Sequence, residues 1–291
     1  MHNAKMFQRL EMVACADLRS EAAEARAAEF GLRAMGVDDI FHADDIDLIL
    51  NLSVPNAHHE VSMRAIRAGK HVFCEKPMSL HKEELQEIVT AHYSIQGRGE
   101  ASIGSALGKQ KSPAESAAPA PTAGAPLLMV GFNRRFAPMA LRLKAFVGDI
   151  REPLVLQYRV NAGYLPSDHW VHDPEQGGGR IIGEVCHFVD FLSFLTGAVP
   201  ARVHAQGLSN GSRYHDDNVI VTLEFSDGSV GSITYVASGD RRIPKERVEV
   251  FGGGAAAVLD DFRRLELISD GRKKVYRSRL RRDKGHRHEW E

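Results

Sequence analysis

Hydrophobic and polar positions follow two different grammars along the chain. In the first, apolar runs alternate with helical stretches. Leu10–Asp17 (LEMVACAD) is a strand-type run closing on an acid, and RSEAAEARAAEFG follows as a helix with Ser20 as its N-cap and Gly31 as its stop. Asp45–Pro55 (DIDLILNLSVP) is a second buried strand. In His58–Gly69 (HHEVSMRAIRAG), Val61, Ala65 and Ile66 fall on one helical face. Lys70–Pro77 (KHVFCEKP) is a third strand, His81–Tyr93 a helix burying Leu85, Ile88 and Val89, and LLMVGFNRRF a further strand completing the sheet. Strands separated by helices of this length predict right-handed crossovers and a parallel sheet.

Beyond Arg151 the period shortens to two. Runs such as EPLVLQYRVNA, ARVHAQGLS, NVIVTLEF, SVGSITYVASG, ERVEVFG, AAVLDDF, RLELIS and KKVYRS are separated by turn signals including SDGS and SDGR. Gly252–Gly254, lying between two of these runs with no helix after it, reads as a hairpin turn. One apolar helix interrupts the series near Ile181–Leu195. The predicted architecture is a Rossmann-like α/β domain over residues 1–150, lacking its first strand, then an α+β domain over 151–291 with a large, mostly antiparallel open sheet. The Gly/Ala/Ser/Pro-rich stretch 94–126 has too few large apolar groups to offset its ordering entropy and is predicted to be a flexible insert.

Composition narrows the function. A chain of 291 residues with a net charge of −1 offers no bulk electrostatic case for nucleic acid, and the basic run Arg272–Arg282 reads as a solvated face. No apolar run is long enough to cross a membrane, and MHNAKMFQRL lacks the apolar core expected of a signal peptide. The three scattered cysteines, Cys15, Cys74 and Cys186, suit reduced thiols in a cytoplasmic protein, and no metal site is expected.

Candidate chemistry lies at strand ends and in one helix. Asp17 closes a strand where nucleotide-binding folds use an acid for the ribose 2′-hydroxyl, and Glu75–Lys76–Pro77 closes another at the ligand-binding edge of an open sheet. No glycine precedes Leu10, so the expected G-x-G-x-x-G turn and its strand are missing. In GGGRIIGEVCHFVDFLSFLTG, Glu184, His187 and Asp190 are spaced by three, on one flank of an otherwise apolar helix. His187 is a candidate for a substrate pocket, and the preceding glycines would let backbone approach a ligand closely. In Asn161–Gln176, Tyr164, His169 and Trp170 are candidate sugar-stacking and hydrogen-bonding groups, with His172 nearby.

VPNAHHEVSMRAIRAGKHVFCEKPMSL resembles the nucleotide-binding half of the Gfo/Idh/MocA oxidoreductases, with E-K-P as the most specific mark. GFNRRFAP and GGGRIIGEVCHFVDFL are similar to the family's next landmarks, in the same order. KERVEVFGGG and DKGHRHEW resemble members fused behind a zinc alcohol dehydrogenase-like domain. The resemblance implies NAD(P)-dependent oxidation of a sugar, cyclitol or nucleotide-sugar hydroxyl, with NAD favoured. It implies Lys76 as the base that takes the hydroxyl proton and His187 as its hydrogen-bonding partner. Asp17, Pro55, Asn56, His59, Glu75 and Pro77 would lie on the cofactor side, and Tyr164, His169, Trp170, Arg134 and Glu184 on the substrate side. The antiparallel sheet would carry a homo-oligomer interface. Gly183 stands where inositol dehydrogenase-like members carry an aspartate four residues before the histidine, and the neighbouring Glu184 points about 100° away on an ideal helix. Two other readings remain open: a shortened, non-catalytic sugar- or partner-binding relative, and an NAD-dependent glycoside hydrolase.

Overall fold

The computed structural model describes residues 10–97, 124–208, 217–278 and 282–291. The chain divides into two compact units, one of residues 1–131 with Trp290–Glu291 and one of Phe132–Glu289. Most of the predicted insert, residues 98–123, lies outside the described residues, as does the stretch 279–281 within the basic run.

In the first unit, β1 (Ala14–Cys15) precedes α1 (Ser20–Phe30) and pairs parallel with β2 (Arg33–Ala34). The strand predicted over Leu10–Asp17 is therefore only partly formed. Ser20 is the first helical residue rather than the cap, and Asp17 Oδ1 instead accepts the Arg19 amide at 2.9 Å. Then come β3 (Leu48–Asn51), α2 (His58–Arg67), β4 (His71–Cys74), α3 (Lys82–Ile95) and β5 (Leu128–Val130). These three strands form a parallel sheet in the order β3-β4-β5, as the alternation of strands and helices predicts. Ile66, Val72, Cys74 and Ile88 form its core, with Met63, Ala65 and Ile49 around them. Leu85, expected in that core, is exposed, and only Ile88 of α3 is fully buried. The indole of Trp290 lies on Phe73 of β4, with ring centroids 4.2 Å apart.

The second unit holds an eight-stranded sheet in the order β13-β12-β11-β10-β6-β9-β8-β7. Its strands are β6 (Val155–Asn161), β7 (Pro200–Gly207), β8 (Val219–Phe225), β9 (Val230–Val236), β10 (Glu246–Gly252), β11 (Ala255–Asp260), β12 (Arg264–Ser269) and β13 (Arg272–Arg277). All eight follow from the period-two pattern, and only β6 and β9 pair in parallel. Gly253 and Gly254 take φ values of 53° and 72° between β10 and β11, the left-handed backbone a two-residue hairpin needs. Along β6, Leu156, Tyr158 and Val160 face the core while Val155 and Gln157 face out. The inner face is covered by α4 (Pro138–Gly148) and α5 (Cys186–Thr196), whose Leu143, Phe188, Phe191, Leu192 and Leu195 are fully buried. Helix α4, which the sequence assigns to the first domain, belongs to the second unit because it packs on α5, β11 and β12.

Candidate active site

In the first unit the ends of β3 and β4 lie side by side, since Asn51 pairs with Cys74 and the Asn51 carbonyl accepts the Glu75 amide at 3.0 Å. Residues just past β4 therefore stand at the carboxyl edge of a parallel sheet, where ligands bind in such folds. Lys76 is half-buried there, between Glu75, whose Oε2 accepts the Lys76 amide at 3.2 Å, and the buried Pro77, joined to Lys76 by a cis peptide. Past β3, Val54 and Asn56 are exposed and Pro55 half-buried. Asp17 is exposed at the end of β1, with Arg19 Nε 3.7 Å from its carboxylate.

His59 takes a different place from the one expected. Its Nε2 lies 3.0 Å from Glu87 Oε2, so it bridges α2 to α3. The adjacent His58, which the sequence reading passed over, is buried against the Lys76 turn, with Nδ1 2.6 Å from the Pro77 carbonyl.

In the second unit, Ile181–Val185 form a single wide π-helical turn that runs into α5. This irregularity re-aims the residues ahead of His187 and breaks the single polar flank expected from ideal spacing. His187 is buried on α5, its ring edge-on to Phe132 at 5.8 Å. Asp190 is held by a bidentate pair with Arg135 at 2.5 and 2.7 Å. Glu184 accepts from the Tyr235 hydroxyl and pairs with Lys245, with Arg180 3.7 Å away. Burial raises the Glu184 carboxyl, but Lys245, Tyr235 and Arg180 outweigh it and hold the group below its usual range. Both carboxylates are thus occupied by the protein's own donors.

Arg134, expected on the substrate side, is likewise engaged within the protein. It is buried and its guanidinium grips Glu246 with Nε at 2.8 Å and Nη2 at 3.0 Å. The Tyr158 hydroxyl donates to Glu246 at 2.5 Å and Lys284 completes the cluster. Burial pushes Glu246 up, yet Arg134 and Lys284 prevail and keep it far below the usual carboxylate range. A carboxyl depressed in the folded state contributes stability above its unfolded value and loses it as pH falls. The second unit is therefore expected to weaken progressively as pH drops below about 4.5, its ordinary value, and Glu246→Gln is expected to flatten that dependence in acid-unfolding curves.

The polar-aromatic loop offers an exposed Tyr164 and an exposed Trp170. Nδ1 of His169 caps the Trp170–His172 turn by accepting the Val171 amide at 3.3 Å. Gly177 has a structural purpose instead of the expected ligand approach: a Cβ there would meet the Val171 Cα and carbonyl at 2.6 Å and the Trp170 carbonyl at 2.8 Å. Because those atoms are backbone, Gly177→Ala must displace the Trp170 turn. If Trp170 meets the substrate, KM for that substrate should rise by about tenfold with NADH affinity unchanged. An unchanged KM would remove Trp170 from the binding surface.

Comparison with known proteins gives the family of the chain. The family model described as "Oxidoreductase family, NAD-binding Rossmann fold" matches residues 2–96, and the "GFO/IDH/MocA C-terminal domain" matches residues 146–258. An uncharacterized oxidoreductase of Bacillus subtilis is 26% identical over 275 residues, covering 90% of this chain and 70% of that protein. The inositol 2-dehydrogenase of Rhizobium meliloti is 27% identical over 266 residues, covering 88% of this chain and 70% of that protein. The crystal structure of a probable dehydrogenase from Thermotoga maritima shares the fold, with a TM-score of 0.72 at 22% identity over 98% of this chain and 80% of that one. With both of its domains matched in order, the chain belongs to the Gfo/Idh/MocA family of oxidoreductases.

Proposed function

We propose that the chain oxidises a hydroxyl of a sugar, cyclitol or nucleotide-sugar, with NAD as the partner in hydride transfer. The observation that carries this reading is Lys76, set at the carboxyl edge of the parallel sheet in a domain of an NAD-binding family. The residues present suit the ribose and nicotinamide portions of a dinucleotide. Asp17 is an exposed carboxylate able to accept ribose hydroxyls, and Pro55, Asn56, Glu75 and Pro77 border the Lys76 turn. A carboxylate there disfavours a 2′-phosphate, so NAD is preferred over NADP. Bound NAD supplies the hydride acceptor. Lys76 takes the substrate's hydroxyl proton as the general base. His187 hydrogen-bonds that hydroxyl, and Tyr164, His169 and Trp170 bind the ring.

The relative named inositol 2-dehydrogenase supports the polyol class. Gly183 in place of an aspartate argues for a substrate other than inositol itself. The outer face of the eight-stranded sheet, with exposed Val155, Ile220, Val230 and Phe251, is the surface for a homo-oligomer, and the scattered cysteines Cys15, Cys74 and Cys186 suit the cytoplasm. Titration calorimetry with NADH tests the reading: a saturable site approaching one per chain is expected, and absence of binding at millimolar-order NADH would overturn it.

A further inference from the structure

Two loops carry the proposed nicotinamide-side residues: the one after β3, with Ser53 to Asn56, and the one after β4, with Glu75 to Pro77. One buried side chain touches both. His58 is 1% exposed, with Nδ1 2.6 Å from the Pro77 carbonyl and Nε2 3.0 Å from the Ser53 carbonyl. Its own carbonyl accepts from Asn51 Nδ2 at 3.0 Å, and the same amide group donates to Ser62 Oγ at 3.0 Å. Asn51 Oδ1 in turn accepts the Ser53 hydroxyl at 2.6 Å. Asn51, His58 and Ser62 are all essentially inaccessible to water, so these contacts form a closed polar circuit beneath the edge that bears Lys76.

We propose that His58 is a positioning residue: its ring clamps the loop after β3 to the turn after β4 and so fixes where Lys76 stands. The Pro77 carbonyl is one residue beyond Lys76, and anchoring it restricts the backbone that aims the lysine. Both partners are carbonyl oxygens, so the ring donates to both only with a hydrogen on each nitrogen; with one hydrogen it donates to a single loop and packs its planar edge against the other. His58 touches neither substrate nor cofactor in this role; it acts through Lys76. The inference rests on the dehydrogenase reading for its catalytic consequence but not for the clamp itself.

The test uses the full chain with His58→Leu, which removes both contacts, and His58→Gln, whose amide N–H can restore one. The rate at which acetic anhydride modifies Lys76, read by mass spectrometry against the exposed Lys82, is expected to change by about threefold or more in His58→Leu and to return part-way in His58→Gln. In parallel, kcat per NADH-binding site should fall on the order of 10–100-fold in His58→Leu, with KM for the polyol and NADH affinity nearly unchanged. If His58→Leu does not fold, His58→Asn takes its place, because its amide is too short to span both carbonyls. A folded variant with wild-type Lys76 labelling and wild-type kcat overturns the clamp. So does a loss of kcat that merely tracks lost NADH-binding sites. A wild-type chain without turnover would instead sink the dehydrogenase reading, while the labelling ratio would still decide the clamp.

Discussion

Replacing Lys76 by alanine is expected to remove on the order of 10²–10⁴ of turnover while leaving NADH affinity within a few-fold of wild type. The asymmetry follows from where Lys76 sits. A general base acts on the transition state, so its loss appears in kcat and in kcat/KM together. Of the groups proposed on the cofactor side, Asp17 at the end of β1 and the exposed Asn56 with Pro55 after β3 lie outside the turn, and Glu75 and Pro77 flank Lys76 without depending on its amine. Removing one amine from the turn leaves them in place. The backbone of that turn is held from below by the Asn51 carbonyl on the Glu75 amide and by His58 on the Pro77 carbonyl, neither of which involves the Lys76 amine. Steady-state kinetics with NADH calorimetry on the same preparation checks this. Equal loss of binding and turnover would make Lys76 a cofactor ligand, and unchanged turnover would remove it from the mechanism.

The largest effect on stability is expected at Glu246. Glu246→Gln leaves Arg134, itself buried, without its paired carboxylate and beside Lys284, a second cation. Breaking a buried ion pair from one side costs about 3–5 kcal/mol, because the surviving charge has lost its compensation and cannot reach water. For a unit of this size the melting temperature should fall by roughly 10 °C or more. The double variant Glu246→Leu with Arg134→Met should be distinctly less destabilised than Glu246→Gln, since apolar groups of similar volume remove the stranded charge as well. Thermal melts of the three proteins decide the matter. A single variant as stable as wild type would mean that the cluster contributes no stability and that the acid sensitivity of the second unit arises elsewhere.

The sequence made the sheet strands legible where burial enforces a period. Val155 to Asn161 and Glu246 to Gly252 alternate because one face of the sheet meets α4 and α5 and the other does not. The turn at Lys76 was legible for a related reason: a continuous apolar run, HVFC, stops abruptly at charged residues and proline. What escaped was mostly polar groups hidden in apolar phase. Glu246 shares the parity of the buried Val248 and Val250, so its place on the inner face is written in the pattern, but a glutamate is ordinarily counted as an outward residue. His58, Ser62 and Ala65 likewise form a buried helical stripe that a pattern of apolar residues alone does not reveal, and the family resemblance points to the neighbouring His59 instead. The partners of Glu184 are hidden from the pattern for a different reason. A local π-helical turn has no simple period, and ideal α-helical spacing cannot anticipate which donors it brings within reach. Arg134 illustrates the limit of motif transfer: its position matches a landmark of the family, yet its guanidinium is occupied by a carboxylate 112 residues away in the chain.

The central claim is hydride transfer from a polyol carbon to NAD with Lys76 as base, and isotope tracing tests it most directly. The chain is incubated with NAD and a panel of sugars and cyclitols deuterated at their carbinol carbons, and the NADH formed is examined by mass spectrometry. Deuterated NADH is expected with at least one member of the panel, and none above background with Lys76→Ala. A chain that binds NADH yet transfers no deuterium from any of them, or a Lys76→Ala variant that transfers it at the wild-type rate, would contradict the account.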